Sequence, residues 1–521
     1  MQGSHVIQAH GIVPVQLRNN AQSLRQGHVG LRSVQGSAEG PSTRNFEALN
    51  RLYSGGAAGK QKAPSLPNAL FVFVAVVGIV LDSLLPPSGQ TSFMMPLALP
   101  RRKPFFDGWF IRITDLAMKT SCSLIVGSMR RSGSESFNEH YVSISFSSPR
   151  FGRKGHKPYE LQSFHHVSTQ EEVSILFDER KMSGFENEID WRAPAAGRCS
   201  SFSWESKECG SMRFLDGGAR VEVDMRLRNE RNEVIELRAK LRQPKPWGYA
   251  RVRGERLEIH SRPSLTSRKN EAGPEGWLGR TPLLPCRYFV QSLGSECSYT
   301  LRRRCGGMGN SSRVYHLADV CVSGGGFAHV ETNYGAAFPS GHEERKVLTG
   351  PPQVIGPENR VALLVTGGKF KIGGLTPLTW IVAFRVSNTS FNFRTTDLHQ
   401  VKARFSCSKR TFSLEAFNPF SPLLLSRSRF HLTALSAGDF VQIEANDANM
   451  NQDEQNVWVP TLQGFTNKPG CSESFAATVR VRAWKGRHLQ RRNEDAPDFD
   501  ESLRLAALEF GGEFQQDSSS S

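Results

Sequence analysis

The sequence predicts an all-β protein made of two antiparallel barrel or sandwich halves, and three observations support that fold class. Apolar and polar residues alternate over many short segments, and turn residues separate these segments at intervals typical of meandering sheets. Between residues 104 and 484 no segment of helical period exceeds about three turns. With 521 residues, the chain is long enough for two or three domains that each bury a core.

The first 68 residues are rich in Gly, Ser, Ala, Gln and Arg, and their only acids are Glu39 and Glu47. Such a segment buries too little apolar area to offset its ordering entropy, so we expect residues 1–68 to be a disordered N-terminal arm. An Arg-bearing, Ser-rich and acid-poor composition is also typical of an organellar transit peptide. Composition alone leaves targeting and a plain unstructured arm equally open.

A short apolar segment follows the arm at residues 69–81. A membrane-spanning helix needs about 20 apolar residues, and Asp82 ends this run early. Three interpretations remain, in this order: the apolar core of a second cleavable targeting signal, an anchor at a membrane surface, and a helix packed on the barrel. Residues 69–100, which end in a Pro-rich stretch, lead into the folded part.

Residues 101–262 are the predicted N-terminal β half. Apolar residues such as Val221 and Val223 alternate there with charged ones, as expected of half-buried antiparallel strands with one solvated face. The polar, turn-rich residues 263–280 are the predicted connection between the halves. Strands again dominate residues 281–513, the predicted C-terminal β half.

Residues 321–339 hold the greatest density of chemically active side chains. On a strand, His329, Glu331 and Asn333 share one face with Phe327, whereas Tyr334 lies on the other face. A second apolar segment, at residues 276–295, contains a polar minority and is also bracketed by turn residues. We interpret the two segments as neighbouring walls of one barrel pocket.

The formal net charge of +16 is spread along the chain, and no basic run is longer than Arg302, Arg303 and Arg304. A dispersed charge favours a solvated basic surface, which could meet anionic lipid, over nucleic-acid binding. The nine cysteines are odd in number and lack the spacing of a zinc ribbon, which indicates free thiols in a reducing compartment. The adjacent His165 and His166 point to opposite strand faces and make poor metal ligands.

Two motifs carry a family resemblance. Residues 104–110 read Pro-Phe-Phe-Asp-Gly-Trp-Phe, and residues 331–339 read Glu-Thr-Asn-Tyr-Gly-Ala-Ala-Phe-Pro. Together with the segments at 365–370, 471–475 and 505–512, they resemble the tocopherol cyclase family, in order, over residues 101–513. In that family the second motif usually has Trp where this chain has Tyr334, and the plant enzymes have Lys where it has Thr332.

The resemblance implies that both halves are lipocalin-like and that residues 505–510 are a closing strand, although their composition favours a helix. It also implies a plastid protein, so that the N-terminal arm becomes a transit peptide, with association at a membrane or plastoglobule surface. The implied partner is a hydrophobic small molecule, a prenylated quinol, and not nucleic acid. The C-terminal residues 514–521 are expected to be a disordered tail.

The implied reaction closes a chromanol ring: an acid protonates a trisubstituted alkene and the neighbouring phenol oxygen captures the carbocation. This chemistry requires a carboxylic acid kept neutral in a dry pocket and uses no cofactor and no metal. We expect Glu331 to be the proton donor or its orienting partner, His329 or Asn333 to bind the phenol oxygen, and Asp107 to be a second acid. Aromatic side chains would line the pocket and stabilise the cation: Trp109, Phe110, Tyr288, Tyr334 and Phe338.

Each of these residues also has a structural interpretation. Asp107 beside Gly108 could cap a tight turn, His329 could be a hydrogen-bonded interior histidine, and Glu331 could pair with an arginine. The aromatic residues could simply form a core.

Three hypotheses about function follow from these observations. The first is an enzyme, a tocopherol-cyclase-like isomerase. The second is a non-catalytic lipocalin-like carrier of prenylquinones or carotenoids, since an eight-stranded barrel can hold one such ligand. The third, and weakest, is a β-rich surface for anionic partners.

Overall fold

The computed structural model describes the following residues of the chain: 105–130, 139–151, 159, 161–169, 172–177, 180–181, 201–245, 286–305, 319–335, 348–349, 353–355, 361–369, 378–386, 389–397, 399–406, 409–418, 437–447, 455–458, 460–461, 464–465, 471–488 and 495–511. The predictions for residues 1–68, 69–100, 263–280 and 514–521, and for Phe338, lie outside these residues. No helix in the described part of the chain is long and apolar enough to cross a membrane.

The described residues form an all-β protein, as the alternating pattern predicts. Regular helix within them is limited to short 3-10 turns at Pro149–Phe151, Asp216–Gly218 and Thr395–Asp397. Two large antiparallel sheets contain nearly all of the strands.

The first sheet has twelve strands in the described residues. Its strands are β1 (Phe105–Asp115), β2 (Thr120–Arg130), β3 (Glu139–Ser147), β4 (Gln162–Thr169), β5 (Val173–Phe177), β6 (Arg180–Lys181), β7 (Phe202–Ser206), β8 (Gly210–Leu215), β9 (Arg220–Arg228), β10 (Glu233–Arg242), β11 (Cys286–Cys305) and β12 (Val320–Gly335). Their order is β4-β3-β2-β1-β12-β11-β10-β9-β8-β7-β5-β6. Contacts between β4 and β9 show that the sheet curls back on itself, as in a barrel.

The second sheet is assembled from the strands that follow. They are β13 (Leu348–Thr349), β14 (Gln353–Ile355), β15 (Val361–Lys369), β16 (Leu378–Val386), β17 (Thr389–Arg394), β18 (Gln400–Ser406), β19 (Thr411–Asn418), β20 (Ala437–Asn446), β21 (Gln455–Val457), β24 (Cys471–His488) and β25 (Phe499–Gly511). The main order is β17-β16-β15-β14-β25-β24-β20-β19-β18, and contacts between β17 and β18 bring its two edges together. The short strands β22 (Pro460–Thr461) and β23 (Gly464–Phe465) pair with each other.

The strand pairing differs from the predicted halves in one respect. We expected residues 281–513 to form the second half, but β11 and β12 belong to the first sheet, where β12 pairs with β1 and β11 pairs with β10. The polar composition of residues 263–280 marks a connection, but composition does not show which strands pair across it. As a result, Glu331 belongs to the first sheet.

The C-terminal segment is a strand, as the resemblance implies and helix propensity does not. β25 pairs with β24 along most of its length, from Ala483 opposite Phe499 to Cys471 opposite Gly511. Pairing and burial therefore override the intrinsic preference of its Leu, Ala, Arg and Glu residues for a helix.

Large side chains fill the interiors of both curled sheets. In the first, the Trp109 ring lies 4.5 Å from that of Phe214 and 5.8 Å from that of Phe202, between ring centroids. In the second, the corresponding distance between Trp380 and Phe412 is 5.8 Å. Each sheet thus has an apolar core of its own.

A third apolar layer joins the two sheets. Val290 and Leu293 of β11 pack against Ala362, Leu364 and Ala383 of β15 and β16. The outer face of the first sheet around Val290 and Leu293 is therefore covered by the second sheet. Arg112 of β1 reaches the same interface, where it contacts Leu505 and Phe475.

Trp109 is 3% exposed at the centre of the first core, so replacing it tests whether this interior is filled. We expect Trp109→Ala to lower the free energy of unfolding by about 3–5 kcal/mol, because the lost contacts and the cavity add. Val167→Ala, at a side chain that is 40% exposed, should change it by less than about 0.5 kcal/mol. Urea unfolding measures both changes, and a loss below about 1 kcal/mol for Trp109→Ala would show that the core is loosely packed there.

Candidate functional site

The strand register places Glu331 at the interface between the two sheets. On β12 it lies directly opposite Phe110 of β1, which in turn lies opposite Ile125 of β2, and residues paired in this way project to the same side of a sheet. Trp109, next to Phe110, points into the first core, so Phe110, Ile125 and Glu331 point outward toward the second sheet.

Two neighbours hold the carboxyl of Glu331 through a single oxygen. The Tyr288 hydroxyl donates a hydrogen bond of 2.6 Å to Oε2, and His329 Nε2 lies 2.7 Å from the same atom. Tyr288 is the donor to this oxygen, and His329 donates to it as well in the tautomer that carries the proton on Nε2. Within the described residues Oε1 of Glu331 makes no hydrogen bond, and 14% of the side chain is exposed, so this oxygen is available to a ligand.

Burial and the negative charge nearby keep the Tyr288 hydroxyl protonated. Desolvation raises the pKa of Tyr288 well above 10, and the charge of Glu331, with its hydrogen bond, raises it further. His329 is only 1% exposed, so its ring is fixed in the interface. Tyr288 and His329 are therefore fixed hydrogen-bond partners that orient Glu331.

The second sheet contributes two more acids to this interface. Glu473 of β24 and Glu509 of β25 are cross-strand partners, and the charge of Glu331 raises the pKa of both. The register of β24 and β25 shifts nearby, and Leu505 adopts a left-handed backbone conformation with φ of 56°. Such an irregularity is a β-bulge, which redirects the backbone and side chains at that point.

Arg112 supplies the positive charge. It lies on the same face of β1 as Phe110, its guanidinium donates a hydrogen bond to the backbone carbonyl of Leu505, and it stacks over the Phe475 ring at 5.2 Å from the ring centroid. Burial lowers the pKa of Arg112 to about 10, with the charge of Glu473 acting in the opposite direction. The guanidinium is therefore still charged at neutral pH, and it connects the two sheets.

Glu473 is the acid most strongly shifted toward its neutral form. It is 4% exposed, and its Oε2 has no hydrogen-bond partner within the described residues. Desolvation raises the pKa of Glu473 well above 4.5, the charge of Glu509 raises it further, and Arg112 partly offsets both. Burial likewise raises the pKa of Glu509 to about 7, although a hydrogen bond from Cys471 lowers it.

Partly exposed side chains interrupt this otherwise buried interface. Phe110, Ile125, Glu331, Asn333 and Tyr288 each retain some accessible surface. We use the name inter-sheet cleft for this partly exposed region of the interface, together with Glu473 and Glu509 of the second sheet. It combines apolar walls, one hydrogen-bonded carboxyl and two acids of raised pKa, an arrangement suited to proton transfer away from bulk water.

Asp107 does not lie in the inter-sheet cleft. It has the orientation of Trp109 and points into the first barrel, where the Thr332 hydroxyl lies 3.1 Å from its Oδ1 and 2.9 Å from the Gly108 carbonyl oxygen. Burial raises the pKa of Asp107 to about 7, partly offset by that hydrogen bond. The structure therefore separates the two predicted acids, Asp107 and Glu331, onto opposite faces of one sheet.

The structure divides the other predicted residues in the same way. His329, Asn333, Phe110 and Tyr288 accompany Glu331 on the side of the inter-sheet cleft. Trp109 lies in the first core, and Tyr334, opposite Asp107 in the register, points to the same side as Asp107. The catalytic and binding roles assigned to all of these residues remain predictions.

Three residues of the site were not predicted: Arg112, Glu473 and Glu509. Glu473 and Glu509 fall within segments 471–475 and 505–512, which support the family resemblance, so a signal was present. The sequence does not reveal the strand pairing that places these two acids beside each other and near Glu331. Within the described ranges, no group of three His, Cys, Asp or Glu side chains is arranged to hold a metal ion.

Comparison with known proteins adds little at the level of sequence, since no family model and no curated protein matches the chain. Solved structures do resemble it. The match to the crystal structure of CghA covers 81% of this chain and 95% of the CghA chain, with 10% identity and a TM-score of 0.43. The match to the crystal structure of CghA with Sch210972 covers 82% of this chain and 96% of that one, again with 10% identity and a TM-score of 0.43. A protein assigned as ATTH (NE1406) from Nitrosomonas europaea covers 82% and 99%, with 11% identity and a TM-score of 0.34. Such distant likeness assigns neither a family nor an activity.

The raised pKa of Asp107 makes stability depend on pH. Its pKa is about 7 in the folded chain and 3.8 when exposed, so the folded state binds the proton more tightly between these values. The stabilisation of the folded state by the proton on Asp107 is complete below about pH 4 and is lost as the pH rises to about 7. The parent protein should therefore lose stability relative to Asp107→Asn across this range, by about 1.4 kcal/mol per pH unit at most.

Denaturant unfolding at intervals between about pH 4 and pH 8 measures this difference. Asp224→Asn, at an exposed position of β9, is the control for the replacement of a carboxyl by an amide. A parent and an Asp107→Asn variant with parallel pH profiles would mean that Asp107 is ionised in the folded protein.

Proposed function

We propose that the protein is an isomerase of the tocopherol cyclase type, which closes the chromanol ring of a prenylated quinol in the inter-sheet cleft. One observation carries this proposal: the buried carboxyl of Glu473, whose pKa is raised, lies close enough to the hydrogen-bonded Glu331 for the charge of Glu331 to contribute to that rise, and apolar side chains adjoin both. An acid and a base held apart in this way are what the reaction requires.

Glu473 is the proton donor in this proposal, in place of the Glu331 assignment that the motif suggests. Its proton adds to the less substituted carbon of the prenyl double bond nearest the ring, and the π electrons form the new C–H bond. The other alkene carbon becomes a tertiary carbocation, and Glu473 becomes a carboxylate. The guanidinium of Arg112 offsets that new charge, as its effect on the pKa of Glu473 indicates.

Glu331 is the base. The phenol oxygen forms a bond to the cationic carbon, and its proton passes to Oε1 of Glu331, while Tyr288 and His329 keep Oε2 occupied. The product is an isomer of the substrate, since one proton is added and one is removed. Return of the proton from Glu331 to Glu473 completes the cycle.

Apolar and aromatic surfaces support the carbocation and hold the tail in a folded conformation. Phe110 and Ile125 border the inter-sheet cleft beside Glu331, and the Phe110 ring can stabilise a neighbouring cation through its quadrupole. Exclusion of water from this surface prevents capture of the carbocation by solvent.

The proposal extends to cellular location. A prenylated quinol is a membrane lipid, so we propose a plastid protein that works at a membrane or plastoglobule surface. Cys122, Cys209, Cys297, Cys321 and Cys471 are free thiols, which is in keeping with a reducing compartment.

A carrier of prenylquinones or carotenoids is the second candidate, motivated by the departure of Thr332 and Tyr334 from the family motif. Both side chains lie on the barrel side of β12, away from Glu331, so their exchange removes no group from the inter-sheet cleft. A carrier would bind the prenylquinone and leave it unchanged.

Turnover of 2-methyl-6-phytylbenzoquinol by the full chain tests the proposed function. The parent protein should form the chromanol, and Glu473→Gln should lower kcat by about 10²–10⁴-fold, because the amide cannot donate an acidic proton. Glu331→Gln should lower kcat as well. Glu501→Gln, at an exposed acid on β25, is the matched control and should retain parental kcat.

Two results would contradict the proposal. The first is parent protein that binds the quinol and forms no chromanol, which would favour the carrier. The second is full activity in a folded Glu473→Gln variant, which would remove Glu473 from the acid role.

A further inference from the structure

We infer that the inter-sheet cleft contains a subsite for a flat phenolic ring, with the ring lying on the backbone at Gly108. This inference rests on the proposed function and specifies where the head of the substrate binds. It comes from a row of residues across the outer face of the first sheet.

The row crosses four neighbouring strand pairs. Tyr141 lies opposite Gly127, Gly127 opposite Gly108, Gly108 opposite Asn333, and Asn333 opposite Tyr288. Paired residues share a face. The two glycines, which have no side chain, therefore lie between Tyr141 on one side and Asn333 with Tyr288 on the other. The result is a trough in the sheet surface.

The two glycines differ in what lies above them. A Cβ at Gly127 would come within 2.9 Å of the Phe465 ring, so Phe465 already fills that part of the trough. Among the described residues, a Cβ at Gly108 would meet only the Asn333 carbonyl oxygen, at 3.5 Å, and no side chain within 4 Å. Gly108 also keeps accessible surface in a sheet whose neighbouring Phe106 and Tyr141 are buried. Within the described part of the chain, the trough is therefore open at Gly108.

The shape and polarity of the open part indicate a flat ring. A planar ring can lie about 3.5–4.0 Å above the backbone at Gly108, the distance of carbon–carbon contact, whereas any larger residue there would prevent this approach. Phe110 and Ile125, in the next row of the same face, border it with apolar surface.

Polar groups at one end of the trough select a ring that carries a hydroxyl. Glu331 occupies the row next to Gly108, and its Oε1 can accept a hydrogen bond. The Asn333 amide, directly beside Gly108, is partly exposed and makes no hydrogen bond within the described residues. A purely aliphatic tail would leave both groups without partners, so a phenol or quinol ring is the better match.

Binding of a quinol without a tail, 2,3-dimethylhydroquinone, tests this subsite by calorimetry under nitrogen. The parent chain should bind it, and Gly108→Val should bind it at least about tenfold more weakly, because the added methyl groups occupy the space of the ring. Asn333→Ala should weaken binding as well, through loss of a polar partner.

Two controls separate loss of the subsite from loss of the fold. Gly325→Ala adds a methyl group to an exposed glycine of β12, with Cys297 O at 3.8 Å as its nearest contact, and should bind the quinol as the parent does. Gly108→Ala should fold, since its Cβ meets only an ordinary contact, and should bind with intermediate affinity. Far-ultraviolet circular dichroism and thermal unfolding verify the fold of each variant.

The outcomes separate this inference from the proposed function. Quinol binding that folded Gly108→Val retains, or that the parent lacks, overturns the ring subsite. Quinol binding that is lost in Gly108→Val supports the subsite even if no chromanol forms, in which case only the proposed reaction is rejected. Parent protein that binds phytol but not the quinol would show that the trough holds the tail instead.

Discussion

Charge balance between the two sheets is the constraint on which the site depends. Glu331, Glu473 and Glu509 come together there with the guanidinium of Arg112. Burying carboxylates in excess of the available positive charge is costly, and acids in that position keep their protons instead. Burial raises the pKa of Glu473 well above 4.5 and the charge of Glu509 raises it further, while the charge of Arg112 only partly offsets both. Glu473 is therefore the acid that we expect to keep its proton.

The architecture explains why this balance arises between the sheets rather than inside a barrel. Strand alternation gives each sheet two faces, and in both sheets large side chains such as Trp109 and Trp380 fill the curled interior. The outer faces of β1, β11 and β12 carry Arg112, Glu331 and Tyr288, and the second sheet covers the part of these faces around Val290 and Arg112. The candidate site therefore lies between the two sheets and not inside either filled interior.

Local patterns in the sequence predict much of this structure, and long-range pairing accounts for what they do not predict. Alternation predicts the strands and places His329, Glu331 and Asn333 on one face. It also places Asp107 with Trp109, but only the pairing of Phe110 with Glu331 shows that Asp107 lies on the opposite face from Glu331. Membership of β11 and β12 in the first sheet, and the approach of Glu473, depend on contacts between residues far apart in the chain, which no local pattern encodes.

Infrared difference spectroscopy of Glu473→Gln against the parent protein, at about pH 7, tests the central claim most directly. A neutral carboxyl has a C=O stretching band that a carboxylate lacks, and this band shifts when the solvent is deuterated. If Glu473 is neutral in the folded protein, the parent shows such a band and the variant loses it. Loss of a carboxylate band from the variant instead would show that Glu473 is ionised, and would contradict the account.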